Sequence, residues 1–154
     1  MFSIFKQKPQ PLLSVEVQQK VIACIEEAES RTSGEIRVYV ETKCTTTDPL
    51  DRAKEIFRLL EMEKTTARNA VLVYLAVDDK KFALFGDKVI YEKAGGCLFW
   101  EKAAERLKSN LRNGQMADGL VSCIQELGSA LAHSFPHDPA VKRNELPNDI
   151  QFGQ

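Results

Sequence analysis

The stretch Ala70-Val71-Leu72-Val73-Tyr74-Leu75-Ala76-Val77 carries no charge and is rich in β-branched and aromatic residues. A strand turns alternate side chains to opposite faces, and here both sets are apolar, so both faces must be buried. The run falls well short of the ~18 apolar residues a membrane span requires. It therefore reads as the central strand of a sheet covered on both sides. Asp78-Asp79-Lys80 follows as a short turn, and Lys81-Phe82-Ala83-Leu84-Phe85 reads as the returning strand of a hairpin, ended by Gly86-Asp87. A short strand extension is expected at Val89-Ile90-Tyr91.

Upstream, Ile36, Val38 and Val40 alternate with Arg37, Tyr39 and Glu41, the pattern of a strand with one buried face. Between the two strands, Asp48-Pro49 gives an N-cap followed by proline at the first helical position, and Leu50, Ala53, Phe57 and Leu60 form one apolar helix face. An earlier helix starts at Ser14, with Glu16 in its first turn, and runs to near Arg31 on Val17, Val21, Cys24, Ile25 and Ala28. Two helices follow the hairpin. The first, from Leu98 or Phe99, uses Trp100, Ala103, Ala104, Leu107 and Leu111, and Asn113-Gly114 closes it as a left-handed cap. The second uses Leu120, Val121, Ile124, Leu127 and Leu131 and stops before Phe135-Pro136.

A strand, a helix and a strand in succession require a parallel pair, and the hairpin adds an antiparallel strand. With an all-apolar central strand, the expected fold is a three-layer α/β/α sandwich built on a small mixed sheet. Residues 1–13, with Pro9 and Pro11 and no periodicity, read as a flexible arm. Residues 14–136 form the domain, and the tail 137–154 docks on it through Leu146, Ile150 and Phe152.

At 154 residues the chain suits one domain, and 21 Lys+Arg against 22 Asp+Glu argues against a nucleic-acid binder with a strongly basic surface. The N-terminus lacks the features of a signal peptide, so a cytoplasmic protein with no membrane insertion is expected. Cys24, Cys44, Cys97 and Cys123 form no CxxC pair, and His133 and His137 are the two histidines, which argues against a zinc site or a disulfide framework. A Cys-dependent phosphatase loop needs arginine six residues after its cysteine; those positions hold Ser30, Leu50, Ala103 and Ser129. No phosphate-binding glycine loop is present, so no nucleotide is expected.

The topology sorts polar residues onto two sheet edges. One carries Thr45, Thr46, Thr47, Asp48, Asp78, Asp79 and Lys80 at the carboxyl ends of the parallel strands, where open α/β sheets commonly bind ligands. The other carries Thr32 to Glu35, Arg68, Asn69, Gly86 and Asp87.

On that second edge the segments Glu29-Ser30-Arg31-Thr32-Ser33-Gly34-Glu35-Ile36-Arg37-Val38, Arg68-Asn69-Ala70-Val71-Leu72-Val73-Tyr74 and Lys81-Phe82-Ala83-Leu84-Phe85-Gly86-Asp87 resemble the three motifs of the TPM-domain family. Asn144-Glu145-Leu146-Pro147, with Ile150, Phe152 and Gly153, resembles the tail of short bacterial members. The resemblance implies an α/β/α sandwich, and its members include acid phosphatases and binders of divalent cations. Carried onto this chain, it implies a calcium site at Glu35, Asn69 and Asp87, with Arg68 and Gly86 beside it as ligand-binding residues. Ala70 and Lys88-Val89-Ile90 stand where relatives often have glycine. The favoured expectation is a non-enzymatic module that binds a protein partner, with a calcium ion at the edge. The alternative is a weak metal-assisted phosphatase acting on phosphate monoesters.

Overall fold

The computed structural model describes residues 11–140 and 146–153, apart from side-chain detail at 96 and 97. Residues 1–10 of the expected arm, and Asn144 and Glu145 of the tail, lie outside the described residues. Strand β1 (Glu35–Glu41) pairs in parallel with β2 (Ala70–Ala76) along its whole length, from Glu35 opposite Ala70 to Glu41 opposite Ala76. Helix α2 (Pro49–Leu59) connects them, and the Asp48 carboxylate accepts the Leu50 N–H at 2.9 Å to start it. Strand β3 (Lys81–Gly86) returns antiparallel to β2, and the short β4 (Gln151–Phe152) lies parallel to β1. The sheet order is β3-β2-β1-β4, so the all-apolar β2 is interior.

The pleat divides the core as the sequence pattern requires. Ile36, Val38, Val40, Val71, Val73 and Leu75 face α1 (Val15–Glu29), α4 (Glu101–Arg112) and α5 (Met116–Ser134). Tyr39, Ala70, Leu72, Tyr74 and Ala76 face Ala53, Ile56 and Phe57 of α2, together with Met62 and Leu146. The result is the expected three-layer α/β/α arrangement on a mixed sheet. Helices α1 and α5 approach closely because position 128 is glycine: a Cβ there would sit 2.7 Å from the Ala28 Cβ. Leu13, placed in the arm from sequence, is buried in this same core.

Three details differ from the sequence reading. Val89-Ile90-Tyr91 is helical, within α3 (Lys88–Lys93), because the Asp87 carboxylate accepts the Lys88 N–H at 2.7 Å and caps a helix there. The helix expected from Leu98 or Phe99 opens with a 3-10 turn, Gly96–Trp100, before α4 begins at Glu101. Finally, β1 was expected to expose its polar face, yet all seven of its residues are buried. The tail explains this: Leu146 and Ile150 are buried and β4 closes the edge of β1, whereas Phe152 remains 40% exposed.

Candidate functional site

The edge singled out by sequence is real in space. Glu35 opens β1, Asn69 immediately precedes β2, and Gly86-Asp87 ends β3, with the Asp87 N–H donating to the Ala70 carbonyl at 2.9 Å. All three polar residues are buried. Each has its own neighbour. The Arg68 guanidinium grips Asp87 with two parallel bonds, Nε to Oδ2 at 2.6 Å and Nη2 to Oδ1 at 2.9 Å. Asp87 is 5% exposed and the Arg68 side chain 35%, so the fork straddles the protein surface. Arg68 holds this position with a φ of 52°, in the left-handed region that an L residue with a Cβ adopts reluctantly. Glu35 accepts the Leu146 N–H at 2.6 Å through Oε1, and so ties down the tail. The Asn69 side chain donates to Ser33 Oγ at 3.2 Å, and Ser33 in turn is bound to the end of α5 through the Phe135 carbonyl.

Glu35 and Asp87 are thus on strands separated by β2, roughly 10 Å apart by ordinary sheet spacing. Calcium takes six to eight oxygens around one point. Here both Asp87 oxygens are held by Arg68, one of them also by the Lys88 N–H, and Glu35 and Asn69 turn toward opposite layers. As arranged, this set does not fit a calcium ion. Among the described residues no group of three or more His, Cys, Asp or Glu side chains converges on a metal-sized space. Gly86 serves packing: a Cβ there would meet Ile90 Cγ1 and Trp100 Cζ3, both at 2.9 Å. Trp100 belongs to the core.

The opposite edge is also engaged. Asp48 caps α2, and Asp79 Oδ2 accepts the Cys44 N–H at 2.7 Å. Burial pushes the Cys123 thiol up to about 12 and raises that of Cys24, the reverse of what a nucleophilic thiolate needs.

Sequence reasoning missed a row of charged groups beneath the tail. Glu41 is buried against Arg52, which forks it at 2.8 and 2.9 Å, and accepts the Tyr74 hydroxyl as well. Burial pushes the Glu41 carboxyl up, but the Arg52 and Tyr74 hydrogen bonds outweigh it and hold the group below its usual range. Burial likewise lowers Arg37, whose Nη2 lies 4.0 Å from Asp149. The signal available was the alternation Glu35, Arg37, Tyr39, Glu41, which reads equally well as a solvated face.

Glu29 was missed too. Its Oε2 accepts the Ile36 N–H at 2.7 Å, joining the end of α1 to β1. Burial first, then the charges of Glu35 and Glu26, push its carboxyl up to about 8 against the opposing effect of that hydrogen bond. The native state therefore holds a proton that the unfolded chain releases, so stability falls as pH rises from about 4.5 to about 8. Glu29→Gln keeps an acceptor for Ile36 and removes the titration. We expect it to stabilise the protein at pH 8 by about 1–2 kcal/mol, after allowance for solvent screening of a half-buried group, and to leave it unchanged at acid pH. Parallel thermal melts of both proteins across this range would test it; equal slopes with pH would refute it.

The profile of the TPM domain matches residues 7–130. The NMR structure of BA42 protein from the psychrophilic bacterium Bizionia argentinensis is 37% identical, covers 95% of this chain and 99% of its own, and superposes with a TM-score of 0.85. The N-terminal domain of cg2496 protein from Corynebacterium glutamicum shares the fold at 12% identity, covering 82% of this chain and 85% of its own, with a TM-score of 0.63. No curated protein matches the sequence.

Proposed function

The chain belongs to the TPM-domain family, and on that premise we propose that it is a non-enzymatic binding module that meets a protein partner at the edge carrying Arg68 and Asp87. One observation carries this reading: large apolar side chains stand exposed on the segment that Asp87 starts. Tyr91, one turn along α3, is 42% exposed, and Leu98, in the 3-10 turn that follows, is 76% exposed. Their backbone is held on a firm base. Asp87 caps α3, the Val89 N–H bonds the Arg68 carbonyl at 3.2 Å, and the Tyr91 ring packs edge-on against Trp100 at 5.8 Å. Apolar anchors on a rigid base, beside a half-exposed guanidinium, are the composition of a protein contact patch.

The same geometry argues against the phosphatase alternative. A carboxylate acting as nucleophile or base must reach substrate, and Asp87 is 5% exposed with both oxygens already engaged by Arg68 and Lys88. A divalent cation reaches Asp87 in this reading only by displacing Arg68.

A photo-crosslinker placed at position 98 tests the proposal in cells of the source organism. We expect a discrete adduct with another protein that disappears on Tyr91→Glu and is absent when the probe is moved to the exposed Lys20 on α1. Identical adducts from both positions would refute the assigned surface. Hydrolysis of a phosphate monoester by the purified protein, abolished by a folded Asp87→Asn variant, would replace the module with the enzyme.

A further inference from the structure

Away from the edge just described, the tip of the β2–β3 hairpin and the last turns of α4 enclose a groove of about 450 Å³ lined by Lys80, Lys81, Phe82, Lys108, Leu111 and Arg112. Four of these six residues are cationic and none is acidic, in a chain whose net charge is -1. The Lys81 ammonium is turned toward the other layer, where it donates to the Thr47 carbonyl at 3.4 Å. That leaves Lys80, Lys108 and Arg112 around the opening, all exposed. Among the described residues none of these three has a carboxylate partner within ion-pair distance, so all three charges are available to a ligand.

Two features make the concentration unfavourable for the protein alone. Lys108 and Arg112 are four residues apart on one helix face, a spacing at which like charges repel. Lys80 adopts a φ of 52° at a turn position where glycine or asparagine is the usual occupant. Of the two carboxylates in that turn, Asp79 is spent on the Cys44 N–H, and Asp78 is exposed beside it. The floor has a different character. Leu111 is buried and Phe82 half-buried, and the methylene stems of the cationic residues extend the apolar surface.

We propose that this groove binds a small anionic amphiphile: a compact, multiply charged head such as a phosphate, held by Lys80, Lys108 and Arg112, with a short apolar body against Phe82 and Leu111. Its volume lies within the roughly 300–1,000 Å³ usual for small-molecule sites. The same head chemistry is carried by soluble phosphorylated metabolites and by anionic lipids, and the experiment separates the two sources.

The probe is hexylphosphonate, which carries the head and an apolar body and cannot be hydrolysed. Titration into the full chain, followed by amide NMR, should give saturable shifts at residues 80–82 and 108–112. Inorganic phosphate should shift the same amides roughly tenfold more weakly, the factor expected for losing about two buried methylenes. The double variant Lys108→Glu, Arg112→Glu, both on an exposed helix face, should weaken hexylphosphonate by more than tenfold. Lys80→Gly relieves the backbone conformation and so folds at least as well; it should weaken the probe several-fold. In a second arm, the protein is floated with vesicles of phosphatidylglycerol and phosphatidylcholine in equal parts. Flotation lost in the double variant assigns the head to a lipid, and hexylphosphonate binding without flotation assigns it to a soluble ligand; either supports the site. Shifts that do not saturate, that fall elsewhere, or that persist unchanged in the double variant overturn it.

Discussion

Replacing Glu41 by alanine is expected to cost about 3–5 kcal/mol of folding free energy, the range seen when one member of a buried ion pair is removed. The Glu41 side chain is 3% exposed and its two oxygens serve the Arg52 fork and the Tyr74 hydroxyl, so the change leaves a buried phenol without its acceptor and Arg52 with only Glu55, at 3.8 Å, as a counter-charge. Glu41→Gln should lose less, because the amide oxygen still accepts from Tyr74. The pH dependence gives an independent check. The folded carboxyl titrates below its ordinary value of 4.5, so in acid the unfolded chain binds the extra proton. The contribution of Glu41 is therefore complete above that value and vanishes as pH falls through the lower, folded one. Denaturant midpoints for wild type and Glu41→Ala should converge in acid and diverge toward neutrality. A loss of less than about 0.5 kcal/mol at pH 7, the size of an ordinary surface change, would show that the cluster contributes nothing net.

Ending the chain after residue 145 is the second large effect. The deletion exposes the sites of Leu146 and Ile150, each worth about 1.5–3 kcal/mol in burial, for a total of about 3–6 kcal/mol. It also strips the Leu146 N–H from Glu35 and the Gly153 N–H from the Val40 carbonyl. Urea unfolding measures the loss, and hydrogen exchange locates it: the β1 amides should lose protection before those of β2 and β3. Unchanged urea stability would mean that the tail lies on the domain without holding it.

How far the fold was legible follows from where the information sits. Val71, Val73 and Leu75 facing one layer and Leu72 and Tyr74 the other is a local pattern, readable because strand period and apolarity coincide. The Ser14 and Asp48 caps are local as well. The exposed face assigned to β1 was wrong for a non-local reason: Glu35 finds Leu146 and Arg37 finds Asp149 more than a hundred residues on, and no periodicity announces that. At α3 the conflict was local, since Asp87 closes a strand and caps a helix with one side chain. The edge holding Glu35, Asn69 and Asp87 was found from motifs. The motifs named Arg68 but not its left-handed conformation or its two bonds to Asp87, which make Asp87 half of a surface fork and not an open ligand.

The interior place of β2 has a consequence for the protein in a crowded cell. Ala70–Ala76 is seven uncharged residues with high strand propensity and no proline, the make-up of segments that nucleate cross-β assembly. Its two flanks are occupied by β1 and β3, so the segment has no free edge in the native state. Peeling away the β3 hairpin, whose outer side is the margin of the sheet, would present that template while most of the domain stayed folded. We expect aggregation of this protein to depend on partial opening at β3 and on protein concentration as well as on global stability, and hydrogen exchange at β3 measured beside aggregation rates would test this.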